Sequence, residues 1–200
     1  MPGNLPGRPN PSYCACRMHT YWTDGSGDHA WEGRAVRVLI DADACPVTRE
    51  TLEICRDRGV PAALYGNGTQ NLERHVRPGD PRSSKDGKRG FWIETVTCQG
   101  GADSADFAIV EDLEPGDIVV TQDIGLAAMV LGREARAIGV RGRVYDRATI
   151  DMQLFIRHEE KKARRNGERT GGPNKFSSDD RRRFRSGLER LIAEGRRQAL

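Results

Sequence analysis

The fold is decided by residues 36–47, which read Val36-Arg37-Val38-Leu39-Ile40-Asp41-Ala42-Asp43-Ala44-Cys45-Pro46-Val47. The first five residues contain no turn former and predict a strand that is buried on both faces. This strand leads into Asp41 and Asp43, and Pro46 takes the place of a first helical residue. Carboxylates at the end of a buried strand need a cationic partner, for which a divalent metal ion is the leading candidate. The alternative is that Asp41 or Asp43 caps the following helix.

A βαβ unit is predicted downstream of this first strand. Residues 46–55 have helical periodicity, Gly59 ends the helix, and residues 60–65 form a second strand. Strand, helix and strand within about 30 residues predict parallel strands joined by a right-handed crossover. The inner face of the helix is predicted to consist of Val47, Thr51, Ile54 and Cys55.

The same alternation continues along the chain and predicts the fold class. Further strands are predicted at residues 91–97, 118–121 and 136–140, with helices at 102–110, 124–131 and 148–166. The apolar stripe of the 148–166 helix is predicted to consist of Ile150, Leu154 and Ile156. A last helix begins after a cap at Ser177 or Ser178. Its packing face is predicted to be Phe184, Leu188, Leu191 and Ile192, with Arg181-Arg182-Arg183 facing outward. We therefore predict an α/β three-layer sandwich with a central, mainly parallel sheet and additional C-terminal helices.

Aspartates recur where these elements meet. The strand at 118–121 is followed by Asp123, and Asp103 and Asp106 lie three residues apart, on one face of the next predicted helix start. Acidic residues at a helix N-terminus complement the macrodipole, which is a purely structural alternative. Because the carboxyl ends of parallel strands share one edge of the sheet, Asp41 and Asp123 are expected at a common crevice.

A cluster of carboxylates predicts a site for a hard cation. Asp41, Asp103, Asp106 and Asp123 are the predicted metal ligands, with Asp43 completing the catalytic set. Oxygen donors select Mg²⁺ or Mn²⁺ over zinc, and such ions activate water for attack on a phosphoryl group. Two neutral residues complete this prediction, with Thr121 bonded to a ligand carboxylate or metal-bound water and Asn67 orienting the substrate.

Positive charge is concentrated at the C-terminal end. Residues 156–200 hold 14 Lys and Arg against 7 Asp and Glu, whereas residues 1–155 hold 18 against 22. A basic arm on an acidic body suits binding of a polyanion, although an ordinary solvated tail has the same composition. The residues predicted to contact phosphate are Arg143, Arg157 and, in a glycine-rich loop at 167–175, Arg169, Gly171 and Gly172. Such a loop is also a common plain connector.

The remaining features concern domain organisation and compartment. Residues 1–34 are rich in Pro and Gly and are predicted to be a disordered extension, preceding an α/β domain at 35–147 and the helical arm at 148–200. The Cys14-x-Cys16-x-x-His19 motif, with His29 beyond it, fits no common zinc spacing. The five irregularly spaced cysteines indicate reduced thiols. Neither a signal peptide nor a membrane-spanning run is recognisable, so we expect a soluble, cytoplasmic protein with no membrane partner.

Cys45 has two interpretations. At a helix N-terminus a thiol pKa is lowered, which favours a nucleophile or redox centre. The neighbouring acids would raise that pKa instead, and a small residue packed in the interior is the alternative.

Several of these motifs together resemble the YaiI/YqxD family of uncharacterised bacterial proteins, over residues 36–195 approximately. The shared motifs are Asp41–Val47, the Asn67 loop, Gly101–Asp106, Thr121–Ala127, Arg141–Tyr145 and Thr170–Pro173. The family looks like a branch of the PIN-like nuclease superfamily. That resemblance implies a PIN-like fold, with Asp41, Asp103, Asp106 and Asp123 at the positions of its acidic residues. Gly125 departs from the family's proline and predicts a looser turn after Asp123. The 78–90 loop is longer than usual, and the 1–34 extension has no counterpart in the family.

Three functions remain open from the sequence. The leading one is a Mg²⁺- or Mn²⁺-dependent nuclease, with RNA favoured over DNA by the superfamily resemblance. The second is a phosphohydrolase with an aspartyl-phosphate intermediate, because Asp41-x-Asp43 resembles the haloacid dehalogenase motif. That chemistry needs a nearby lysine, and none occurs between Arg89 and Lys161. The third is a nucleic-acid-binding module without catalysis.

Overall fold

Five parallel strands form the centre of the structure, in the order β3-β2-β1-β4-β5. The computed structural model describes residues 36–82, 90–99, 101, 103–165 and 175–198. The strands are β1 (Val38–Asp41), β2 (Ala62–Asn67), β3 (Ile93–Cys98), β4 (Ile118–Val120) and β5 (Arg136–Ile138). The helices are α1 (Thr48–Arg58), α2 (Ser104–Asp112), α3 (Ile124–Gly132), α4 (Arg147–Arg165) and α5 (Ser178–Gln198).

The first strand lies in the middle of the sheet, as its composition predicts. Ile40 pairs with Leu64 of β2 on one side and with Val120 of β4 on the other. Val38, Leu39 and Ile40 are each fully buried. A strand with paired neighbours on both sides and helices on both faces needs apolar residues at every position, which explains the unbroken aliphatic run.

Helices cover both faces of the sheet and confirm the three-layer α/β architecture. On one face, Ile54 of α1 and Phe184 of α5 belong to the same buried cluster. On the other face, Ile109 of α2, Val130 of α3 and Ile150 of α4 belong to a second cluster. The predicted mainly parallel sheet is confirmed, and all pairs of neighbouring strands in it are parallel.

An ion pair fixes β1 against the start of β4, at the end of the sheet opposite to Asp41. Nη2 of Arg37 donates to Oδ2 of Asp117 over 2.7 Å, and the carboxyl group of Asp117 is buried. The same guanidinium group donates to the backbone carbonyl of Asp112, over 2.7 Å. These contacts align two strands that lie far apart in the chain.

The helix faces agree with the periodicity at most positions. The predicted inner face of α1 is buried, as is that of α5, and Gly59 ends α1 with a left-handed φ of 59°. Ser177 caps α5 by accepting from the amide of Asp180. Ile156, predicted to belong to the apolar stripe of α4, is 49% exposed, so that assignment is wrong.

Two element boundaries differ from the prediction for local reasons. Helix α1 begins at Thr48 and not at Pro46, because a 3₁₀ turn at Ala42–Ala44 follows β1 directly. Strand β5 ends at Ile138 and not at residue 140, because Gly139 donates to the carbonyl of Arg143 in a tight turn.

Some predictions fall on residues that the structure does not describe. These are the 1–34 extension with its Cys14, Cys16, His19 and His29 motif, residues 83–89 of the polar loop, and Arg169, Gly171 and Gly172. In the described part of the chain, every helix is too short or too polar to cross a bilayer.

Candidate active site at the carboxyl edge of the sheet

The strand order creates a crevice between β1 and β4. From β1 the chain moves outward through β2 and β3 on one side, and it returns to place β4 and β5 on the other side. In open α/β sheets, ligands bind beyond the carboxyl ends of the strands at such a switch point. Asp41 is the last residue of β1, and Thr121 follows directly after β4.

Thr121 connects the two predicted aspartates across this crevice. Its hydroxyl donates to Oδ2 of Asp41 over 2.8 Å and accepts from the backbone amide of Asp123 over 3.0 Å. Thr121 is 1% exposed and Asp41 is 9% exposed. The prediction that Thr121 bonds a ligand carboxylate agrees with this geometry.

Asp41 is a buried carboxylate among other carboxylates. Burial raises its pKa above the ordinary value, and the charges of Asp43 and Asp123 raise it further, whereas hydrogen bonds from Thr121 and the Asp43 amide lower it. Among the described residues, Asp41 forms no ion pair with an Lys or Arg side chain, and its side chain does not cap a helix. The expectation that Asp41 or Asp43 merely caps the next helix therefore finds no support at either residue.

Asp123 does cap a helix, in contrast with Asp41. Its Oδ1 accepts from the amides of Gly125, over 2.6 Å, and Leu126, over 3.4 Å, at the start of α3. Oδ2 lies 3.6 Å from Nη2 of Arg157. The loose turn expected from Gly125 is absent, because the Gly125 amide donates a hydrogen bond that a proline could not supply. One oxygen of Asp123 thus caps the helix, and the other faces the half-exposed guanidinium group of Arg157.

Asp43 is held by the loop after β2. Asn67 donates to both of its carboxylate oxygens, from the backbone amide over 2.9 Å and from Nδ2 over 3.1 Å. Oδ1 of Asn67 in turn accepts from the amide of Thr69 over 3.0 Å. Asn67 therefore positions Asp43 in this structure, and its predicted contact with substrate remains a prediction.

The first turn of α2 brings Asp103 and Asp106 to the same cluster. Burial raises the pKa of Asp106 to about 6, and the charges of Asp41, Asp123, Asp103 and Asp43 act in the same direction. Asp106 is therefore close enough to the other four predicted catalytic aspartates for their charges to raise its pKa. Asp103 stands at the N-cap position of α2 without a side-chain capping bond.

Two residues at this edge have no counterpart in the predicted set. Oγ of Ser104 is buried and has no hydrogen-bond partner among the described residues. Tyr145 is half-buried, and burial raises its pKa while Arg143 and Arg157 lower it and Asp123 raises it. Tyr145 thus lies within electrostatic reach of both predicted phosphate-binding arginines. The sequence held one signal for these two residues. Ser104 and Tyr145 belong to the shared motifs Gly101–Asp106 and Arg141–Tyr145, and Ser104 directly follows Asp103.

The fit of a metal ion depends on donor chemistry and on the number of ligands it needs. Among the described residues, no group of three or more His, Cys, Asp or Glu side chains is arranged to hold a metal ion. Mg²⁺ usually retains several waters and uses one or two carboxylates together with substrate phosphate oxygens. Asp41 and Asp123 carry such oxygens, so their donor chemistry is compatible with a Mg²⁺ or Mn²⁺ ion that has few protein ligands.

Cys45 is not activated. Burial raises the pKa of its thiol to about 11, and the charge of Asp41 raises it further. A thiol in this state remains protonated at neutral pH, so the interpretation as a small packed residue is favoured.

Comparison with known proteins gives the family of the chain. The profile of the uncharacterised YaiI/YqxD family matches residues 82–194. A UPF0178 protein of Clostridium kluyveri is 35% identical over 80% of this chain and 95% of its own length. UPF0178 proteins of Heliobacterium modesticaldum and Vibrio atlanticus are each 37% identical, over 80% of this chain and 98% and 99% of theirs. No solved structure matches the chain. The chain belongs to the YaiI/YqxD family.

Proposed function

We propose that this protein is a Mg²⁺- or Mn²⁺-dependent nuclease that hydrolyses phosphodiester bonds, with RNA favoured over DNA as substrate. The observation that carries the proposal is the buried Asp41 carboxylate at the β1–β4 switch point, joined through Thr121 to the segment that bears Asp123. A buried carboxylate surrounded by others is costly, and a hard cation would turn that repulsion into attraction.

Asp41 and Asp123 would hold the metal, and Asp103 and Asp106 would add negative charge around it without binding it directly. When bound, the ion would neutralise charge on a phosphoryl group and lower the pKa of a coordinated water. Asp43, fixed by Asn67, would orient the attacking water. Asp41, Asp43 and Asp123 are each held by a hydrogen-bond donor in this chain.

The cationic part of the site would hold the substrate backbone. Arg157 is half-exposed and reaches both Asp123, over 3.6 Å, and the backbone carbonyl of Gln122, over 3.5 Å. These long contacts leave the guanidinium group able to turn toward a phosphate, which it binds better than it binds a solvated carboxylate. Arg143 is exposed on the loop after β5, and Arg169, Gly171 and Gly172 extend the proposed phosphate-binding set.

The proposal includes a cytoplasmic location, which suits the free thiols of Cys45 and Cys55. RNA as the substrate rests on the superfamily resemblance alone.

The test is Mn²⁺ binding measured by calorimetry, together with cleavage of a single-stranded RNA. We expect wild type to bind Mn²⁺ and to cleave, and Asp41→Asn and Asp123→Asn to lose cleavage while retaining their circular dichroism spectra. Asp57→Asn is the matched control, because Asp57 is exposed on α1.

Two results would contradict the nuclease proposal. The first is undiminished cleavage by both site variants. The second is RNA binding by wild type in EDTA with no cleavage under Mn²⁺, which would favour a binding module without catalysis.

A further inference from the structure

A cavity of about 690 Å³ lies next to the aspartate cluster. It is formed by the 3₁₀ turn after β1, by residues 69–74 and by Gln122. It shares Asp43 with the cluster, and Gln122 directly precedes Asp123. A volume of this size can hold one nucleotide, since ligand pockets generally span about 300–1,000 Å³.

The polar lining of the cavity consists largely of carboxamides. Gln70, Asn71 and Gln122 each present an amide N–H₂ group and a carbonyl oxygen. Nε2 of Gln70 donates to the backbone carbonyl of Asp43 over 2.9 Å, which fixes that side chain against the 3₁₀ turn. Carboxamides match the paired donors and acceptors on nucleobase edges.

The rest of the lining suits a planar ring better than a second phosphate. Ala42, Cys45 and Pro46 offer apolar contact surface, and Arg74 offers a planar cation at the rim. Asp43 lines the same cavity and would repel a phosphate group placed inside it. Covalent chemistry at Cys45 is disfavoured, because its thiol remains protonated.

We propose that this cavity binds the nucleobase of the nucleotide next to the scissile phosphate. The inference rests on the proposed nuclease function, which it deepens by naming the substrate form. A base in a duplex has its Watson–Crick edge already paired and cannot bond to these carboxamides, so the substrate is single-stranded. The carboxamides then give the enzyme a preference among bases.

The test measures base binding without metal, so that it is independent of cleavage. Each of the four ribonucleoside 5′-monophosphates is titrated into the full chain in EDTA by calorimetry, with ribose 5-phosphate as the probe lacking a base. We expect binding of at least one mononucleotide, and about tenfold weaker binding by Asn71→Ala and Arg74→Ala. Arg77→Ala is the matched control, because Arg77 is an exposed arginine of the same loop that does not line the cavity.

The outcomes separate this inference from the nuclease proposal. Ribose 5-phosphate binding as tightly as the mononucleotides, absence of mononucleotide binding at millimolar concentration, or unchanged affinity of both cavity variants would overturn base recognition. Mn²⁺-dependent cleavage could persist in each of those cases. Conversely, the base site is supported if mononucleotides bind in EDTA and this binding is lost in the cavity variants. That conclusion holds even if the Asp41→Asn variant cleaves normally and the metal assignment fails.

Discussion

Thr121 donates a 2.8 Å hydrogen bond to Asp41 across the junction of β1 and β4. The same hydroxyl accepts from the amide that begins the Asp123 turn. One small side chain therefore sets the orientation of a buried carboxylate and the path of the chain toward a second one. If Asp41 binds a metal ion as proposed, Thr121 is a residue that orients a ligand, and replacing such residues typically lowers metal affinity by about 10–100-fold.

Replacing this hydroxyl by a methyl group tests that role. We expect Thr121→Val to lower Mn²⁺ affinity by about tenfold and to destabilise the fold by about 1–2 kcal/mol, because Asp41 loses its donor in a buried setting. Calorimetry and urea unfolding measure the two effects. Thr51→Val is the matched control: Thr51 is equally buried and donates to the carbonyl of Val47 over 2.8 Å, within α1. Equal Mn²⁺ affinities in the two variants would refute the positioning role.

Gly125 provides a second test at the same site. Its amide donates to Oδ1 of Asp123, and proline at this position lacks the donor. We expect Gly125→Pro to release that oxygen and to raise Mn²⁺ affinity by about threefold, a change of about 0.7 kcal/mol. Gly125→Ala keeps the amide but, like proline, places a Cβ 3.0 Å from Oδ1 of Asp123, so it is the control for that contact and should not raise the affinity. A lower affinity in the proline variant alone would mean that capping orders Asp123 for binding.

The repulsion at Asp106 predicts a pH dependence of the metal-free protein. Its pKa is raised to about 6 in the folded state, so the folded protein binds more protons than the unfolded chain between about pH 4 and pH 6. Stability contributed by this group is therefore lost as pH rises through that window. We expect Asp106→Asn to stabilise the protein by about 1 kcal/mol at pH 8 in EDTA, after allowance for solvent screening of a half-exposed group. The gain should vanish below pH 4.

Urea unfolding at several pH values makes that measurement. Asp57→Asn on α1 is the control and should show no such pH-dependent gain. A constant gain at all pH values would show that the effect comes from something other than charge. Saturating Mn²⁺ should also remove the advantage of Asp106→Asn, since a bound cation offsets the repulsion.

Gly142 is the position where the loop after β5 meets α5. It has a φ of +83°, and a Cβ there would lie 2.5 Å from the backbone carbon of Arg183. We expect Gly142→Ala to cost about 3 kcal/mol or more, from a strained backbone and a contact that must open. Gly116→Ala is the control, because Gly116 has a similar φ of +86° with nothing within 4 Å of its added Cβ. Only strain remains there, at about 1 kcal/mol. If thermal unfolding shows a similar loss of stability in Gly142→Ala and Gly116→Ala, the contact between Gly142 and α5 is unimportant.

Periodicity was sufficient to predict most of the elements in this protein but not their arrangement. The aliphatic run of β1 and the packing face of α5 follow from the spacing of apolar residues, and both are buried as predicted. The strand order depends on pairing between strands that are far apart in the chain, such as β1 and β4, and the spacing of apolar residues within one strand does not predict it. The 3₁₀ turn at Ala42–Ala44 arises from the close approach of the β2 loop, where Asn67 and Gln70 bond to Asp43.

The sequence predicted which residues form the candidate site, but only part of what each residue does there. Aspartates after buried strands indicated the cluster, because all parallel strands end at one edge. The capping of α3 by Asp123 could not be separated from metal binding, since the same carboxylate oxygens serve both purposes. Ile156 shows the opposite limit: it lies six residues from Ile150 and two from Leu154, which puts it on a different side of α4 from both, and it is 49% exposed.

The position of β4 between β1 and β5 has a consequence for biosynthesis. Asp41 bonds to Thr121, which lies 80 residues further along the chain, so the first βαβ segments can form during translation while the carboxyl edge of the sheet is still incomplete. The carboxylate cluster is therefore completed only after Asp123 has left the ribosome.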